Sequence, residues 1–561
     1  MPSNNPNNKP IFDRFWYLLP IGSALLVIAT LPPLKLWWLS FISIAPIYFF
    51  ARISTGFSWK RTAFGGFLFG VIFTAFILSL TVLQFHWLKE VYLFTFIVRI
   101  SSVIILFCFG VFASIQILAS RLVQSDNALT HIFFASAFWT CSEWIIHHAM
   151  LGIEYSVIGY PAHNSIFVSL ARYGGPFLTI FTVALVNISI GSIIYYIYQH
   201  RRGTGTGNEI RNIKLSVFVL CVCTAIAYIA TVTIKNSYTK SDKVPLHIAT
   251  IQYQEKHDGA FGKETYDSKT KEYNFIFPEL ERIVLDAQNS TEYLTHSNLA
   301  SSTILIYPFS PWNGAIGTTS DRNAYDKKVL ALEYSTFSKW TENFIKENTL
   351  FVTWNTAIRD SAFFNEIHYW KNGVIEGYNQ KKILFPFLDY TPAIAQRIGL
   401  FTTPIDATPG VKYTPAVIEH NRAVSAIVCS ELTHPIYKSN SKGSDLILAI
   451  GSEAVFTSGI ANEFNIGNAV YRSVESGVPI VRSNRFGPSA FILPDGTVSK
   501  FLDYKKDGLL SDTIEVPRKE TETPFEKGGG LVSILSIWGI LIVLGSNQIK
   551  FKYLRRGENI Q

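Results

Sequence analysis

Long apolar segments on both sides of a large polar region restrict this chain to membrane folds. A helix needs about 20 consecutive apolar residues to cross the hydrocarbon core of a bilayer. Eight segments approach or exceed that length, namely 15–32, 34–51, 63–84, 97–119, 131–150, 176–198, 215–234 and 530–547. With 48% hydrophobic and 16% charged residues, the chain is too apolar for an ordinary soluble enzyme. We therefore expect a multi-pass α-helical membrane protein that carries one soluble domain.

The basic residues predict the orientation of this membrane protein. They cluster beside the apolar segments and form no polar stripe, so the net charge of +8 does not indicate a nucleic-acid partner. With the N-terminus inside, the inner connections carry basic residues at positions 9, 14, 52, 60, 61, 121, 201, 202, 211, 214, 550, 552, 555 and 556. The outer connections hold only Lys35, Lys89 and Arg172. The positive-inside rule then places both termini in the cytoplasm and the polar domain outside it.

Three regions follow from this topology. Residues 1–242 form a seven-span transmembrane domain, 243–527 form the extracytoplasmic domain, and 528–561 form a last helix with a basic cytoplasmic tail. Of the eight spans, 131–150 is the least apolar, because it contains Glu143 and a histidine pair.

The polar region alternates strands and helices. The pattern predicts strands at Leu246–Tyr253, Thr303–Pro308, Thr349–Thr356, Ala423–Cys429 and Leu446–Ile450. It predicts helices near Lys271–Ala287, interrupted by Pro278, and near Lys327–Lys346 and Asn462–Ser476. Asn372-Gly373 and Asp495-Gly496 each predict a hairpin turn. Helices between buried strands, with added hairpins, indicate an α/β or α+β sandwich.

Cys429 is the only cysteine of this region, and it stands where an apolar strand ends. Active sites of α/β sheets form at the carboxyl edge of the strands, and a lone thiol in an exported domain has no disulfide partner. A nucleophile is one interpretation. A small buried core residue is the other, since free cysteine often packs as a hydrophobe.

Six short motifs relate the polar region to a known family. They are Thr303–Pro308, Tyr378–Lys381, Pro386–Phe387 with Asp389–Pro392, Ile427–Glu431, Arg472–Gly477 and Asn484–Ser489. Their order resembles that of nitrilase-superfamily domains, which implies an α-β-β-α sandwich. Together with the spans, Gly159-Tyr160 and Gly174–Phe177, the chain is similar to apolipoprotein N-acyltransferases over nearly its whole length.

The resemblance implies a Glu-Lys-Cys catalytic triad. By motif matching, Cys429 is the nucleophile and Lys381 the oxyanion-stabilising lysine, with Lys382 as a one-residue alternative. A thiol with a pKa near 8.5 is only partly ionised at neutral pH, so a base or a nearby cation must activate it.

The third member of the triad is replaced. Phe309 stands where the family has its base glutamate, and a phenyl ring accepts no proton. Asp389 and Glu431, which match acidic positions of the family, are the candidate substitutes. Ser430 replaces a tyrosine and Val455 a tryptophan of the family pattern.

Four further motif residues have structural interpretations. Arg472 and Glu475 have the spacing of a helical ion pair. Asn484 and Gly487 are typical of a turn.

The activity implied is acyl transfer in the bacterial inner membrane, without metal or other cofactor. A membrane phospholipid donates the acyl chain to Cys429, and the N-terminal amine of a diacylglyceryl-modified apolipoprotein accepts it. The oligomeric state is not implied. Two alternatives remain: a catalytically impaired lipid- or lipoprotein-binding or assembly factor, favoured by Phe309, and a membrane-tethered amidase, disfavoured by the eight spans.

Overall fold

Two compact units make up the chain. A computed structural model describes residues 15–80, 92–122, 127–149, 158–204, 207–252, 263–267, 272–276, 278–290, 293, 303–308, 336–359, 362–386, 388–397, 406–435, 443–453 and 463–558. The helical unit comprises Met1–Thr233 with Gly528–Gln561, and the α/β unit comprises Ile234–Lys527. The division falls ahead of the predicted boundary at residue 243.

The described part of the chain contains the following α-helices. They are α1 Leu18–Thr30, α2 Ala45–Ile53, α3 Trp59–Leu80, α4 Tyr92–Leu122, α5 Ala128–Ala149, α6 Ala171–Arg202, α7 Glu209–Lys240, α8 Pro278–Asn289, α9 at 336–344, α10 Ala393–Arg397, α11 Phe464–Ser476 and α12 Gly530–Glu558. Helix α6 is kinked where Gly175, with a φ of 70°, precedes Pro176.

Six helical segments among the described residues are long and apolar enough to cross a bilayer. They are Trp37–Gly56, Trp59–Ser79, Ser102–Arg121, Ile166–Arg202, Glu209–Lys240 and Phe525–Ser546. These six correspond to six of the eight predicted spans. The first predicted span forms α1, which has only 13 residues.

The predicted span 131–150 forms a helix, α5, that is not among these six. Its inward side carries buried polar groups, Glu143 and His147, and the Trp139 indole donates a hydrogen bond to Glu143 Oε1 at 2.6 Å. Such groups are costly in hydrocarbon and lower the hydropathy of the helix. The count of eight spans therefore stays a prediction.

Two large sheets form the α/β unit. The strands are β1 Lys243–Gln252, β2 Lys263–Asp267, β3 Glu272–Ile276, β4 Thr303–Tyr307, β5 Thr349–Arg359, β6 Ala362–Lys371, β7 Val374–Gln380, β8 Tyr413–Thr414, β9 Ala416–Ile418, β10 Arg422–Val428, β11 Leu446–Ser452, β12 Ile480–Arg485, β13 Ser489–Ile492, β14 Val498–Leu502 and β15 Gly508–Pro517. The seven-stranded sheet has the order β15-β1-β4-β5-β6-β7-β8 and the six-stranded sheet the order β14-β13-β12-β11-β10-β9. Strands β2 and β3 pair separately.

The centre of each large sheet is parallel. Strands β1, β4 and β5 run parallel in one sheet, and β10, β11 and β12 in the other. Val428 is level with Ile450 in the register of β10 and β11, and Gly451 is level with Asn484 in that of β11 and β12. Residues that follow β10 and β11 therefore meet at one carboxyl edge.

The two sheets pack face to face between helices. One core cluster joins apolar residues of both sheets, among them Ile306, Val352, Val428 and Ile450. A second cluster packs α8 and α9 on the other face of the seven-stranded sheet. Helix α11 packs on β12 and β13 of the six-stranded sheet. The order helix-sheet-sheet-helix is the α-β-β-α sandwich expected from the resemblance.

Most predicted elements of this unit are confirmed. Asn372 and Gly373, with φ values of 48° and 77°, form the turn between β6 and β7, as a type I′ hairpin requires. One prediction was wrong: the segment before Pro278 is not helical. Residues Glu272–Ile276 form β3, and the helix begins only at the proline, which is favoured at a first helical position. The first residues of the predicted helix Lys327–Lys346 lie outside the described residues.

Candidate active site

Cys429 lies at the predicted strand end. Strand β10 stops at Val428, and Cys429 is the first residue of a short 3₁₀-helix, Cys429–Thr433. Its φ is +53°, in the left-handed region that non-glycine residues rarely adopt. Such a conformation costs on the order of 1–3 kcal/mol and concentrates at functional sites. The chain turns sharply from strand to helix at this point, and Cys429 is half-buried at the sheet edge.

The surroundings of the thiol keep it protonated at neutral pH. Burial raises the pKa of Cys429, and although the Lys381 ammonium acts in the opposite direction, the charges of Asp389 and Glu453 add to the increase. The backbone N–H of Ser452 donates a hydrogen bond to the sulfur and favours the thiolate. A proton acceptor is therefore needed before the sulfur can attack a carbonyl.

Lys381 is a buried cation whose side chain and backbone are both hydrogen-bonded. It follows β7 directly, and its side chain is 2% exposed. Its Nζ donates to Asp389 Oδ2 at 2.5 Å, its backbone N–H donates to the carbonyl of Asn365 at 2.7 Å, and its carbonyl accepts the N–H of Gly410 at 2.7 Å. Burial alone lowers the pKa of Lys381, but the charges of Cys429 and Asp389 outweigh it and the pKa is raised. The group is an ammonium ion at neutral pH.

Asp389 anchors that ammonium. Besides Lys381, the backbone N–H of Phe385 donates to its Oδ2 at 2.6 Å, and Asn365 Nδ2 donates to its Oδ1 at 2.8 Å. A carboxylate has about four acceptor positions, so these three donors leave one for a further proton.

Glu431 ties the two reactive segments together. Its Oε1 accepts the backbone N–H groups of Lys382 at 2.7 Å and Ile383 at 3.1 Å, and its Oε2 accepts that of Val428 at 2.9 Å. Burial raises its pKa, while these N–H donors oppose the increase. The carboxylate thus joins the residue before Cys429 to the residues after Lys381.

The structure brings all four predicted site residues to one place. Cys429, Lys381, Asp389 and Glu431 are linked by hydrogen bonds or by the mutual effects of their charges. Lys382, the one-residue alternative, has an exposed side chain. Phe309 and Val455 lie outside the described residues.

Sequence reasoning missed a third carboxylate at this edge. Glu453 follows β11, is 5% exposed, and accepts hydrogen bonds on Oε1 from Asn465 Nδ2 at 2.5 Å and from Arg482. Burial raises its pKa, and its charge contributes to the raised pKa of Cys429. The available signal was its place directly after the strand that pairs with β10.

The turn predicted at Asn484 and Gly487 is confirmed for the glycine and wrong for the asparagine. Asn484 lies fully buried in β12, and the bend before β13 is formed by Phe486, with a φ of 61°, and Gly487. A Cβ atom on Gly451 would lie 3.3 Å from Cys429 Cα and 3.7 Å from Asn484 Oδ1, so the amide and the cysteine flank the same glycine.

The predicted pair of Arg472 and Glu475 is confirmed. Arg472 Nη2 donates to Glu475 Oε1 at 2.6 Å inside α11, and both side chains are fully buried. The pair supports the helix and does not reach the thiol in any contact among the described residues.

A buried polar network includes Gln380, the residue before Lys381. His368 Nε2 contacts Glu366 Oε2 at 2.7 Å, and Gln380 Nε2 donates to Glu366 Oε1 at 2.9 Å. Gln380 Oε1 accepts the backbone N–H of Lys412 at 3.1 Å. The network holds two parts of the chain in place. One is Gln380, the residue before Lys381, and the other is the segment at Lys412, whose Gly410 donates to the Lys381 carbonyl. Alternating strand patterns gave no sign of it.

Sequence comparison identifies relatives of both units. A family model described as the apolipoprotein N-acyltransferase N-terminal domain matches residues 23–189. A protein named apolipoprotein N-acyltransferase from Haemophilus influenzae is 23% identical over 97% of each chain. One of the same name from Pasteurella multocida is 22% identical over 94% of each. The one from Rickettsia bellii is 29% identical, over 31% of this chain and 35% of its own.

Two solved structures match about half of this chain at low identity. A CN-hydrolase superfamily protein from Xanthomonas campestris is 15% identical with a TM-score of 0.30, covering 48% of this chain and 90% of its own. Nit3 of Saccharomyces cerevisiae, from branch 10 of the nitrilase superfamily, is 10% identical with a TM-score of 0.32, covering 50% and 92%.

Proposed function

We propose that this chain, which is similar to apolipoprotein N-acyltransferases over nearly its whole length, belongs to their family and acylates lipoproteins. The acyl chain comes from a membrane phospholipid and passes through a thioester on Cys429 to the α-amine of a lipid-modified N-terminal cysteine. The α/β unit carries the chemistry on the extracytoplasmic side of the bacterial inner membrane. The observation that carries the proposal is the buried Lys381 ammonium, whose charge favours ionisation of the Cys429 thiol.

In the first half-reaction the Cys429 sulfur attacks the ester carbonyl of the phospholipid. The S–H bond breaks as the S–C bond forms, and the carbonyl electrons move to an oxyanion that the Lys381 ammonium stabilises. The tetrahedral intermediate then expels the lysophospholipid alkoxide, which takes up the proton lost by the thiol. The product is an acyl thioester.

Asp389 is the residue that we assign to hold this proton in place of the family's glutamate. Its charge affects the Cys429 thiol more than that of Glu453 does, and one of its acceptor positions remains open to a proton. Glu431 is a less suitable acceptor, because Asp389 and Glu453 are the carboxylates whose charges act most on the thiol, and both Glu431 oxygens bind backbone N–H groups of the two segments. We therefore assign Glu431 a positioning role for the two reactive segments.

In the second half-reaction the α-amine of the lipoprotein attacks the thioester. The N–C bond forms, the S–C bond breaks, and the proton released by the amine returns to the sulfur through Asp389. Lys381 stabilises the second oxyanion in the same position. Both substrates are membrane lipids, which accounts for a soluble catalytic unit on a membrane anchor.

Detection of the thioester tests the proposal. The purified full chain, incubated with phospholipid alone, is expected to gain one acyl group on the peptide that contains Cys429, and hydroxylamine is expected to remove it. The Cys429→Ala variant provides the control, since the other four cysteines remain. Absence of the adduct in the presence of donor lipids that a known family member accepts would refute the assignment.

A further inference from the structure

Glu453 is a buried carboxylate whose two oxygens have different surroundings. Arg482 Nη2 and Asn465 Nδ2 both donate to Oε1, while Oε2 accepts no hydrogen bond of normal geometry from a described residue. An arginine that only neutralises a carboxylate frequently binds both of its oxygens. At Glu453 the two donors hold one oxygen in place and leave the other with open acceptor positions.

The Asn484 amide lies beside this open oxygen. A Cβ atom on Gly487 would overlap both Glu453 Oε2 and Asn484 Nδ2, so these two atoms lie next to each other over that glycine. Asn484 is fully buried, and neither Nδ2 nor Oδ1 makes a hydrogen bond of normal geometry with a described residue. Buried polar groups are rarely left unpaired. The three open atoms therefore indicate a ligand that can form hydrogen bonds.

These open atoms belong to the surroundings of the nucleophile. A Cβ atom on Gly451 would lie 3.3 Å from Cys429 Cα and 3.7 Å from Asn484 Oδ1, so only the space over this glycine separates the amide oxygen from the cysteine. Glu453 directly follows Ser452, whose backbone N–H donates to the sulfur. Burial raises the pKa of Cys429, and the charge of Glu453 adds to the increase.

The open atoms identify the chemistry of this ligand. Two of them, Glu453 Oε2 and Asn484 Oδ1, are hydrogen-bond acceptors, and the carboxylate adds a negative charge. A phosphate group would be repelled by this charge, and a hydrocarbon chain would leave the acceptors unpaired. An alkylammonium group carries a positive charge and three N–H donors, and it matches the site in both respects.

The second half-reaction requires such a group to lose a proton. An α-amine has a pKa of about 7.7–8.0, so only roughly a tenth to a sixth of it is neutral at pH 7. The ammonium form has no lone pair with which to attack the thioester. Asp389 is assigned the proton released during the attack, which leaves the earlier proton of the ammonium without an acceptor. Burial raises the pKa of Glu453 towards the range in which a general base is effective.

We propose that Glu453 takes this first proton from the α-ammonium of the acceptor, and that Asn484 Oδ1 orients the same nitrogen. The inference rests on the proposed function. An N–H bond breaks as an O–H bond forms at Glu453 Oε2, and the freed lone pair attacks the thioester carbonyl. Asp389 then returns the second proton to the Cys429 sulfur as the S–C bond breaks. After the product leaves, Glu453 releases its proton to solvent water.

Single-turnover transfer from the acyl enzyme tests this role. The full chain is loaded with phospholipid, the donor is removed, and a diacylglyceryl-cysteine peptide is added at pH 6.5 to 9.5. Mass spectrometry follows the loss of the thioester. Glu453→Gln keeps the size of the side chain and an acceptor oxygen for Arg482, and removes the basic carboxylate. Glu475→Gln is the matched control, because it removes a buried carboxylate that an arginine binds and whose ion pair does not contact the thiol among the described residues.

The expected effect of Glu453→Gln depends on pH. At pH 7 it should slow transfer by about 6- to 10-fold, the inverse of the neutral fraction of the amine, and at pH 9.5, where the amine is already neutral, the deficit should disappear. Its thioester should form at least as fast as that of the unmodified chain, because loss of the Glu453 charge lowers the pKa of Cys429. Asn484→Leu should slow transfer at every pH by about 2- to 10-fold, the effect of one hydrogen bond.

The outcomes separate this inference from the proposed function. Equal transfer rates of Glu453→Gln and the unmodified chain at pH 7, or a deficit that stays constant up to pH 9.5, would overturn the role of Glu453 and leave the thioester mechanism standing. Loss of thioester formation in Glu453→Gln but not in Glu475→Gln would place Glu453 in the first half-reaction, and the inference would again be wrong. If the unmodified chain forms no thioester, the proposed function and this role fail together.

Discussion

Replacing Lys381 by methionine isolates the effect of the buried ammonium on the thiol. The substitution keeps the length of the side chain and removes its charge. Among the described residues, the charge of Lys381 has the largest effect on the pKa of Cys429 and lowers it, whereas the charges of Asp389 and Glu453 raise it. The pKa of Cys429, already above its ordinary value, must therefore rise further in Lys381→Met.

The size of this change follows from the position of the charge. A nearby opposite charge typically shifts a pKa by about 1–3 units, and below the pKa each unit is a tenfold change in thiolate fraction. At pH 8 the alkylation rate of Cys429 should thus fall by about 10- to 10³-fold. The single variant also leaves Asp389 buried without its cation, which costs about 3–5 kcal/mol.

A double variant removes that complication. In the double variant Lys381→Met with Asp389→Asn, two opposing effects on the pKa of Cys429 are lost: the larger decrease caused by Lys381 and the smaller increase caused by Asp389. The pKa of Cys429 should therefore lie between that of the unmodified chain and that of the single variant. Iodoacetamide labelling from pH 6 to 10, quantified on the Cys429 peptide by mass spectrometry, measures all three profiles. An unchanged or lowered midpoint in Lys381→Met, with the fold intact by circular dichroism, would refute the assigned role of the ammonium.

Three further substitutions test other parts of the site. Glu366→Ala leaves the buried Gln380 amide without its acceptor and should cost about 1–3 kcal/mol in thermal unfolding, with Glu366→Gln costing less; equal midpoints would contradict this role. Gly487→Ala places a methyl group against Glu453 Oε2 and Asn484 Nδ2 and should destabilise the chain by about 1–3 kcal/mol; an unchanged melting curve would show that these side chains move aside without cost. In cells depleted of their own apolipoprotein N-acyltransferase, the unmodified chain is expected to support growth; rescue only by Phe309→Glu, which could restore about 10²–10⁴ in rate, would identify a disabled enzyme.

The sequence predicted the elements whose patterns are local. The type I′ turn at Asn372-Gly373 depends on two adjacent residues, and the helix at Phe464–Ser476 depends on its own periodicity. The prediction of a helix at Glu272–Ile276 was wrong because this segment forms a strand only by pairing with β2. That pairing is made in the folded chain and has no signal within the five residues themselves.

For the candidate site, the sequence could identify only those residues that a single motif marks. Cys429 and Lys381 could be named because each stands at a fixed place beside a recognisable strand or motif. The roles of Asp389 and Glu431 could not be separated from sequence, because the difference lies in their donors: a side-chain ammonium for one and backbone N–H groups for the other. Glu453 could be placed at the site only once the pairing of β10 with β11 was known.

Lys381 follows β7 of one sheet, and Cys429 follows β10 of the other. A chain whose two sheets have formed separately therefore has the sulfur on one sheet and the cation of the proposed mechanism on the other. Glu431 contributes to joining these parts only once the sandwich has closed. The proposed acyl transfer therefore requires the completed fold, because only the closed sandwich brings Lys381 to the Cys429 thiol.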